Sequence, residues 1–546
     1  MKLQRNIKVR MRDDIRLATD IILPEGEGPF AAVLIRTPYN RAMYANSYFQ
    51  QKGIALVIQD TRGRYESEGE FYPFVNEYDD GMDTLKWLKA QPWSNGKVAM
   101  FGDSYLAHTQ FVLMQREMPS FTTLNPRFMC GDGFAHGYYA GGIFNLALTW
   151  SWLCLECASA CSQARLALAL PDLRKLLRTQ PTSDLDLASG GMEPARAFRD
   201  FVANKHDGPF WDSCNFRRQN PVIEYPVLLT GGWYDFYAGE TIKNFLYIRE
   251  HSASEKIASQ HRMVIGHWSH GILSTPILGE IDFGEESQKE NGHSLEWIAG
   301  MLQGKQADEL RPAPVTLFVM GRNAWRHEWQ WPPRGIAERD FFLQPQHALS
   351  TDTPDIDLAC EECIFDWENP VPTHGGNHSI GAYNPGLFDY VKPGPYDQTE
   401  LEARDDVTSF TTAPLQKDTE VIGIVRITLY ISSEAADADF FAKIVDVHPD
   451  GKAFNVTEGC QRASCRIAAY APQPLTHGEI CRLDFELGAT AMCFKAGHAI
   501  RVDVSCSNFP LFELNPAALK MQGKKTLQRI HYGRKCPSHI TLPCDI

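Results

Sequence analysis

Five short apolar runs, each closed by a turn former or a polar residue, constrain this chain most. They lie at residues 31–36, 54–60, 98–102, 226–230 and 263–266. Each is too short for a globular helix and lacks polar alternation, so both of its faces must be buried. That is the pattern of strands in a parallel sheet. Between the second and third runs, Met82, Leu85 and Leu88 recur at every third position, which predicts an amphipathic helix over 79–88. Strand, helix and strand in alternation predict a parallel α/β sheet with right-handed crossovers.

Two other textures interrupt or follow this pattern. Residues 146–170, 173–177 and 194–202 read as helices within an insertion at 134–221. A helical block between strands of an α/β domain is expected to cap the strand C-terminal edge, where ligands bind. After about residue 333 the runs at 421–430, 440–447 and 499–505 predict an all-β sandwich or jelly roll. Residues 367–399, rich in Gly, Pro and Asn, read as an irregular crossing loop. The expected organisation is an α/β-hydrolase-like core at 1–133 and 222–337, a helical cap at 134–221 and a β jelly roll at 338–546.

Charge and cysteine content narrow the partners. Lys and Arg number 53 against 67 Asp and Glu, a formal charge of −14 that repels phosphate backbones and argues against nucleic acid. No stretch approaches the ~18 apolar residues of a membrane span, and the N-terminus lacks the apolar run of a signal peptide. A cytoplasmic protein is expected, with a large β region that offers surface for a homodimer. The 14 cysteines include the pairs Cys154/Cys157 and Cys360/Cys363, with Cys161 beyond the first. The pairs lie far apart without a fitting histidine, so they read as ordinary thiols rather than a zinc site. No metal and no organic cofactor is expected.

The chemistry concentrates at the ends of the predicted strands. Phe101-Gly102-Asp103-Ser104-Tyr105 closes the third run and precedes a segment, 108–116, that can run as a helix. A strand–turn–helix of this kind lifts a serine hydroxyl above a sheet edge, with the Tyr105 amide facing a developing oxyanion. A serine needs a base to take its proton, and the base needs an orienting carboxylate. Asp235 follows the run at 226–230, and both His267 and His270 follow the run at 263–266. The chain order Ser, Asp, His is that of an α/β-hydrolase. On the residues alone, Asp235 could equally cap the helix that follows it, and His267 rivals His270 as base.

The chain resembles the CocE/NonD hydrolases over essentially its full length. That family includes cocaine esterases, α-amino-acid ester hydrolases, glutaryl β-lactam acylases and X-prolyl dipeptidyl-peptidases. The resemblance rests on Arg36-Thr37-Pro38-Tyr39, Gln59-Asp60-Thr61-Arg62-Gly63-Arg64, Ser67-Glu68-Gly69-Glu70, Gly102-x-Ser104-Tyr105-Leu106, Gly231-Gly232-Trp233-Tyr234-Asp235 and Trp268-Ser269-His270. In the last region Asp446-Val447-His448-Pro449-Asp450-Gly451 and Ser507-Asn508-Phe509-Pro510 also match. The resemblance implies Ser104 as nucleophile, His270 as base and then acid, and Asp235 as its orienter. It implies a Tyr39 hydroxyl that joins the Tyr105 amide at the oxyanion. It also implies a hydrolase core, a helical cap and a jelly roll. The chain departs from the family pattern at Ala107, usually Gly, at His267, often Pro, and in carrying Asp103 before the nucleophile.

Function is then expected to be hydrolysis of an ester or amide of a small acyl substrate through an acyl-enzyme. Dipeptidyl-peptidase, β-lactam side-chain acylase and acyltransferase activities remain alternatives, as does a non-catalytic binding protein. Asp103, Tyr138, Trp150, Trp152, Phe144 and Trp233 are the candidate substrate contacts. A substrate amine would need an acid, for which Asp132, Asp103 and Glu156 are candidates.

Overall fold

A computed structural model describes residues 2–115, 120–153, 173–188, 195–378 and 392–545. The first large sheet has ten strands. They are β1 (Lys2–Arg10), β2 (Arg16–Leu23), β3 (Phe30–Thr37), β4 (Ala55–Asp60), β5 (Ser94–Asp103), β6 (Thr123–Arg127), β7 (Leu228–Tyr234), β8 (Arg262–Ser269), β9 (Val315–Val319) and β10 (Ala324–Glu328). Their spatial order is β1-β2-β4-β3-β5-β6-β7-β8-β9-β10. From β4 across to β9 every pairing is parallel. Every residue of β4, β7 and β8 is buried, which is why most of each strand reads as an apolar or small-residue run. The N-terminal hairpin β1/β2 is antiparallel and carries a bulge between Gln4 and Ile7.

Helices connect these strands and cover the sheet. Helix α1 (Glu77–Lys89) buries Leu85 and Leu88, with Glu77, Asp79 and Asp80 in its first turn and Lys86 and Lys89 in its last. That distribution complements the helix dipole at both ends. Helix α2 (Tyr105–Phe111) follows β5 after one residue, and α3 (Ala238–Glu250) follows β7. Between β6 and β7 the chain forms short helices at Leu146–Ser151, Leu185–Ala188 and Ala195–Ala203. Aromatic residues of this inserted segment, among them Tyr139, Phe144, Phe198 and Trp211, share one core cluster with the C-terminal β region. Much of the apolar run at 146–170 lies outside the described residues.

The C-terminal region is a second sheet of eleven strands. These are β11 (Ile336–Gln344), β12 (Ala348–Ser350), β13 (Ala359–Asp366), β14 (Val407–Thr411), β15 (Thr419–Ser433), β16 (Asp439–Val447), β17 (Ala453–Arg462), β18 (Cys481–Phe494), β19 (Ala499–Ser505), β20 (Lys525–Tyr532) and β21 (His539–Asp545). The order is β13-β20-β15-β21-β11-β12-β14-β19-β16-β17, with β18 paired to β15. A bulge between Ile424 and Arg426 lets the long β15 serve β18, β20 and β21. Backbone hydrogen bonds stitch the two sheets together: the Met320 N–H donates to the Ala491 carbonyl at 2.9 Å, and the Cys493 N–H to the Met320 carbonyl at 2.8 Å. The fold is an α/β-hydrolase core with inserted helices and a β jelly roll. Among the described residues, no helix is long and apolar enough to cross a membrane.

One buried ion pair ties the first layer together. Arg36 on β3 reaches Glu77 on α1 at 2.8 Å, and both side chains are almost wholly excluded from solvent. Arg36 Nε also donates to Gln59 on β4 at 3.0 Å. Replacing Arg36 with Met would strand the Glu77 carboxylate in the interior. Arg36→Met should lower unfolding free energy by about 3–5 kcal/mol in chemical denaturation. Adding Glu77→Gln should recover part of that loss. A single variant within ~1 kcal/mol of wild type would contradict this role.

Candidate active site

Ser104 sits between β5 and α2 with φ 55 and ψ −121, a conformation that L-residues rarely adopt. Strain of this kind persists only where the surroundings over-determine it. Here the Ser104 N–H donates to the Arg127 carbonyl of β6 at 3.0 Å. Its own carbonyl accepts from the Ala107 and His108 amides at 2.9 and 3.0 Å. Gly102, at φ 149, is required by close approach: a Cβ there would lie 2.4 Å from Leu106 Cβ. The Ala107 methyl is fully buried in the core cluster that holds Val98 and Met100, so the turn accommodates it.

Tyr105 opens α2, so its N–H is one of the first-turn amides that point out of the N-terminal end of the helix. Its ring is anchored from behind. The phenol donates to Glu77 Oε1 at 2.9 Å and accepts from the Phe74 N–H at 3.0 Å. Glu77 in turn meets Arg36, so the chain Arg36–Glu77–Tyr105 fixes the amide at the head of α2. Tyr39 lies two residues beyond β3, its N–H held by Thr37 Oγ1 at 3.0 Å. The Trp152 indole N–H donates to Tyr39 Oη at 3.0 Å. The Trp152 ring stacks on Phe74 at 5.5 Å and lies 6.2 Å from Tyr138.

The candidate orienting carboxylate and base come from neighbouring strand ends. Asp235 follows β7, and His270 follows β8. His270 Nδ1 lies 2.8 Å from Asp235 Oδ2, and both side chains are buried. The other carboxylate oxygen, Oδ1, accepts from the Tyr237 N–H at 2.7 Å. Phe236 stacks against the imidazole at 5.2 Å, and Phe128 and Tyr237 meet it edge-on. At Gly232 a Cβ would lie 2.1 Å from the Trp268 carbonyl, so glycine there lets β7 and β8 converge just before these two residues. A carboxylate hydrogen-bonded at one ring nitrogen sets the tautomer that leaves the other nitrogen able to accept a proton.

Comparison with known proteins adds the lineage. Residues 13–272 match the X-Pro dipeptidyl-peptidase (S15 family) model, and residues 310–541 match the model of the X-Pro dipeptidyl-peptidase C-terminal non-catalytic domain. The chain is 32% identical to cocaine esterase of Rhodococcus sp. (strain MB1 Bresler), covering 98% of both chains. The chain belongs to the CocE/NonD serine hydrolases. Its fold is similar to that of an α-amino-acid ester hydrolase, with a TM-score of 0.85 at 23% identity, covering 100% of this chain and 96% of that one. An aminopeptidase from a marine sediment Thaumarchaeota archaeon gives 0.86 at 23%, with the same coverage. The protein is thus a serine hydrolase acting on an ester or amide through an acyl-enzyme.

Several sequence expectations change. His267, the rival base, points away from Asp235 into a cluster with Phe283 and Phe318, and its Nε2 donates to the Thr275 carbonyl at 3.0 Å. Burial drops its pKa to about 4. Asp103 is paired: Arg127 grips its carboxylate through Nε and, at 2.8 Å, through Nη2. Trp233 is fully buried beneath the sheet, where its indole donates to the Phe318 carbonyl at 2.7 Å. Phe144 packs on Tyr139 and Phe198, and Trp150 is fully buried in the same cluster. Tyr138 and Trp152 do lie beside Tyr39 and Tyr105. Asp132 caps the Phe134 and Ala135 amides and accepts from Asn215. Of the cysteine pairs, Cys360 is exposed and Cys363 buried, on opposite faces of β13. Cys154, Cys157, Cys161 and Glu156 lie outside the described residues.

Arg127, Glu77 and Tyr237 were not anticipated. Their roles depend on strand register and on a backbone amide, which the sequence does not display. The acid response of His267 is open to test. Its proton affinity is ordinary in the unfolded chain and depressed in the fold. Stability is therefore unaffected above pH ~6.5 and is lost as pH falls from there toward the folded pKa of about 4. His267→Gln should soften that acid loss by up to about 1.4 kcal/mol per pH unit and leave kcat/KM within ~3-fold at pH 7. A loss of activity as large as that expected for His270 would instead make His267 the base.

Proposed function

We propose that this serine hydrolase is a carboxylesterase whose nucleophile is Ser104. The observations that support the site are the His270–Asp235 hydrogen bond and the strained Ser104 turn, which follow the C-terminal ends of strands in one parallel sheet. In this reading His270 takes the Ser104 proton as Oγ attacks the ester carbonyl. The Tyr39 hydroxyl and the Tyr105 amide hold the tetrahedral oxyanion. The Trp152 indole, by donating to Tyr39 Oη, directs the phenol's own hydrogen toward that oxyanion. The alcohol leaves with the proton from His270. Water, deprotonated by His270, then attacks the acyl-enzyme, and Ser104 regains its proton.

Among the described candidate acids, the engagement of Asp103 and Asp132 supports a preference for esters over N-terminal peptide substrates. A substrate ammonium needs an unpaired carboxylate. Asp103 is held by Arg127, and Asp132 by two amides and Asn215. The aromatic surface of Phe74, Tyr138 and Trp152 favours an apolar acyl or alcohol group instead. The identity with cocaine esterase, named for an ester substrate, supports the same choice.

A panel of p-nitrophenyl esters and aminoacyl-prolyl anilides tests this. The esters should exceed the anilides in kcat/KM by ~10³ or more, with a burst of p-nitrophenol that reports the acyl-enzyme. The opposite ranking would overturn the esterase assignment. Tyr39→Phe removes one oxyanion donor and should cost ~10²-fold or more in kcat with the fold intact. An unchanged rate would remove Tyr39 from the mechanism.

A further inference from the structure

The jelly roll carries a second convergence of ionisable side chains, unrelated to Ser104. Strands β16 and β19 run antiparallel, with Asp446 opposite Ile500 and Val447 opposite Ala499. One further step of that register sets His448 opposite His498. Residues two apart on a strand share a face, and directly opposed residues share it too. Register alone therefore gathers Asp446, His448 and His498 on one side of the sheet. His498 arrives from the turn between β18 and β19, and His448 from the turn between β16 and β17. That second turn is tight: the His448 N–H donates to the Lys452 carbonyl at 2.8 Å and the Gly451 N–H to the His448 carbonyl at 3.0 Å.

The side chains meet at their ligand atoms. His498 Nδ1 lies 2.9 Å from Asp446 Oδ1, and His448 Nε2 lies 3.2 Å from Asp446 Oδ2. The two imidazole centroids are 4.3 Å apart. One nitrogen or oxygen from each of the three residues falls within 4.8 Å of the others. Elsewhere in the chain, buried imidazoles are satisfied differently. His261 serves the Val227 amide and Ser252, and His293 serves the Glu290 carbonyl and Thr230. Only at Asp446 do two imidazoles aim at one carboxylate among the described pairs.

We propose that Asp446, His448 and His498 form a binding site for one zinc-type divalent transition-metal ion, which ties the turn between β16 and β17 to the turn before β19. Zinc bonds of ~2.0–2.1 Å to imidazole and carboxylate put tetrahedral ligands about 3.3 Å apart. The 2.9 and 3.2 Å separations run to the two different oxygens of Asp446, and the three ligand atoms lie within 4.8 Å of one another, so small side-chain rotations bring them to that spacing around one ion. A set of two imidazoles and one carboxylate suits zinc, cobalt, nickel or copper better than calcium or magnesium, which prefer all-oxygen shells. Asp446 is 4% exposed and so is held rigidly, while His448 is 30% exposed, which leaves a path for the ion and a fourth position for water. None of the three residues belongs to the Ser104 machinery, so hydrolysis does not require the ion.

The test uses the full chain after treatment with a chelator. Titration with Zn²⁺ alone, read by calorimetry, should give one ion per chain with Kd at or below ~10 µM, and zinc should raise the thermal midpoint. His448→Asn and His498→Asn should each weaken that binding by ~10-fold or more and abolish the thermal shift. Both should keep ester hydrolysis within ~3-fold of wild type in the zinc-free state, which also shows that they fold. Co²⁺ provides a readout that needs no substitution: the wild-type chain should show the visible bands of a four-coordinate nitrogen–oxygen site. Unaltered zinc affinity and stoichiometry in the two variants would overturn the proposal. So would an aqua-ion cobalt spectrum in the wild type, and the three residues would then be a hydrogen-bonded cluster only.

Discussion

Everything at the catalytic end of this molecule depends on holding one residue in a backbone conformation it would not choose. Ser104 at φ 55 is kept there from three sides. The Arg127 carbonyl of the next strand takes its N–H, and the first turn of α2 closes on its carbonyl. Gly102 lets Leu106 pack against the strand end. Around this turn runs a second line of support, from Arg36 through Glu77 to the Tyr105 phenol. A fully buried arginine–glutamate pair is a costly element for stability alone, because each charge loses its hydration. Its position here gives it a further consequence: it fixes the ring of the residue whose amide heads α2.

The Asp235–His270 pair is supported from the C-terminal region. The Tyr234 phenol, on the residue before Asp235, donates to the Asn455 carbonyl of the jelly roll at 3.0 Å. The Asn377 side chain donates to the Trp233 carbonyl at 2.9 Å. The end of β7 is therefore clamped by the C-terminal region just where the carboxylate emerges. The inserted helices share their aromatic core with the same region. In this arrangement the C-terminal region holds the end of β7 just before Asp235, which in turn hydrogen-bonds His270. That gives a physical reason for the C-terminal sheet to accompany the hydrolase core.

Much of this was legible in the sequence, and the remainder was hidden for identifiable reasons. Strands buried on both faces announce themselves as apolar runs, so β3, β4, β5, β7 and β8 could be read directly. The edge strand β1 could not, because six of its nine residues face solvent and four carry charge. Strand β6 was also missed: it is five residues long and contains Pro126. With it went Arg127 and its ion pair with Asp103. The order Ser104, Asp235, His270 was readable because each follows a strand. Choosing between His267 and His270 needed the strand alternation and twist that send one ring into the core and the other to Asp235. Aromatic residues were a poorer guide. Trp233 and Trp152 look alike in sequence, yet one lies beneath the sheet and the other donates to Tyr39.

The most direct test of the central claim is the intact mass of the chain after exposure to a fluorophosphonate, with Ser104→Ala treated alongside. An activated Ser104 displaces fluoride and forms an Oγ–phosphorus bond, so the wild type should gain one adduct and the variant none. A folded wild-type protein that stays unlabelled, or a variant that labels as fully as wild type, would contradict the assignment of Ser104 as the nucleophile.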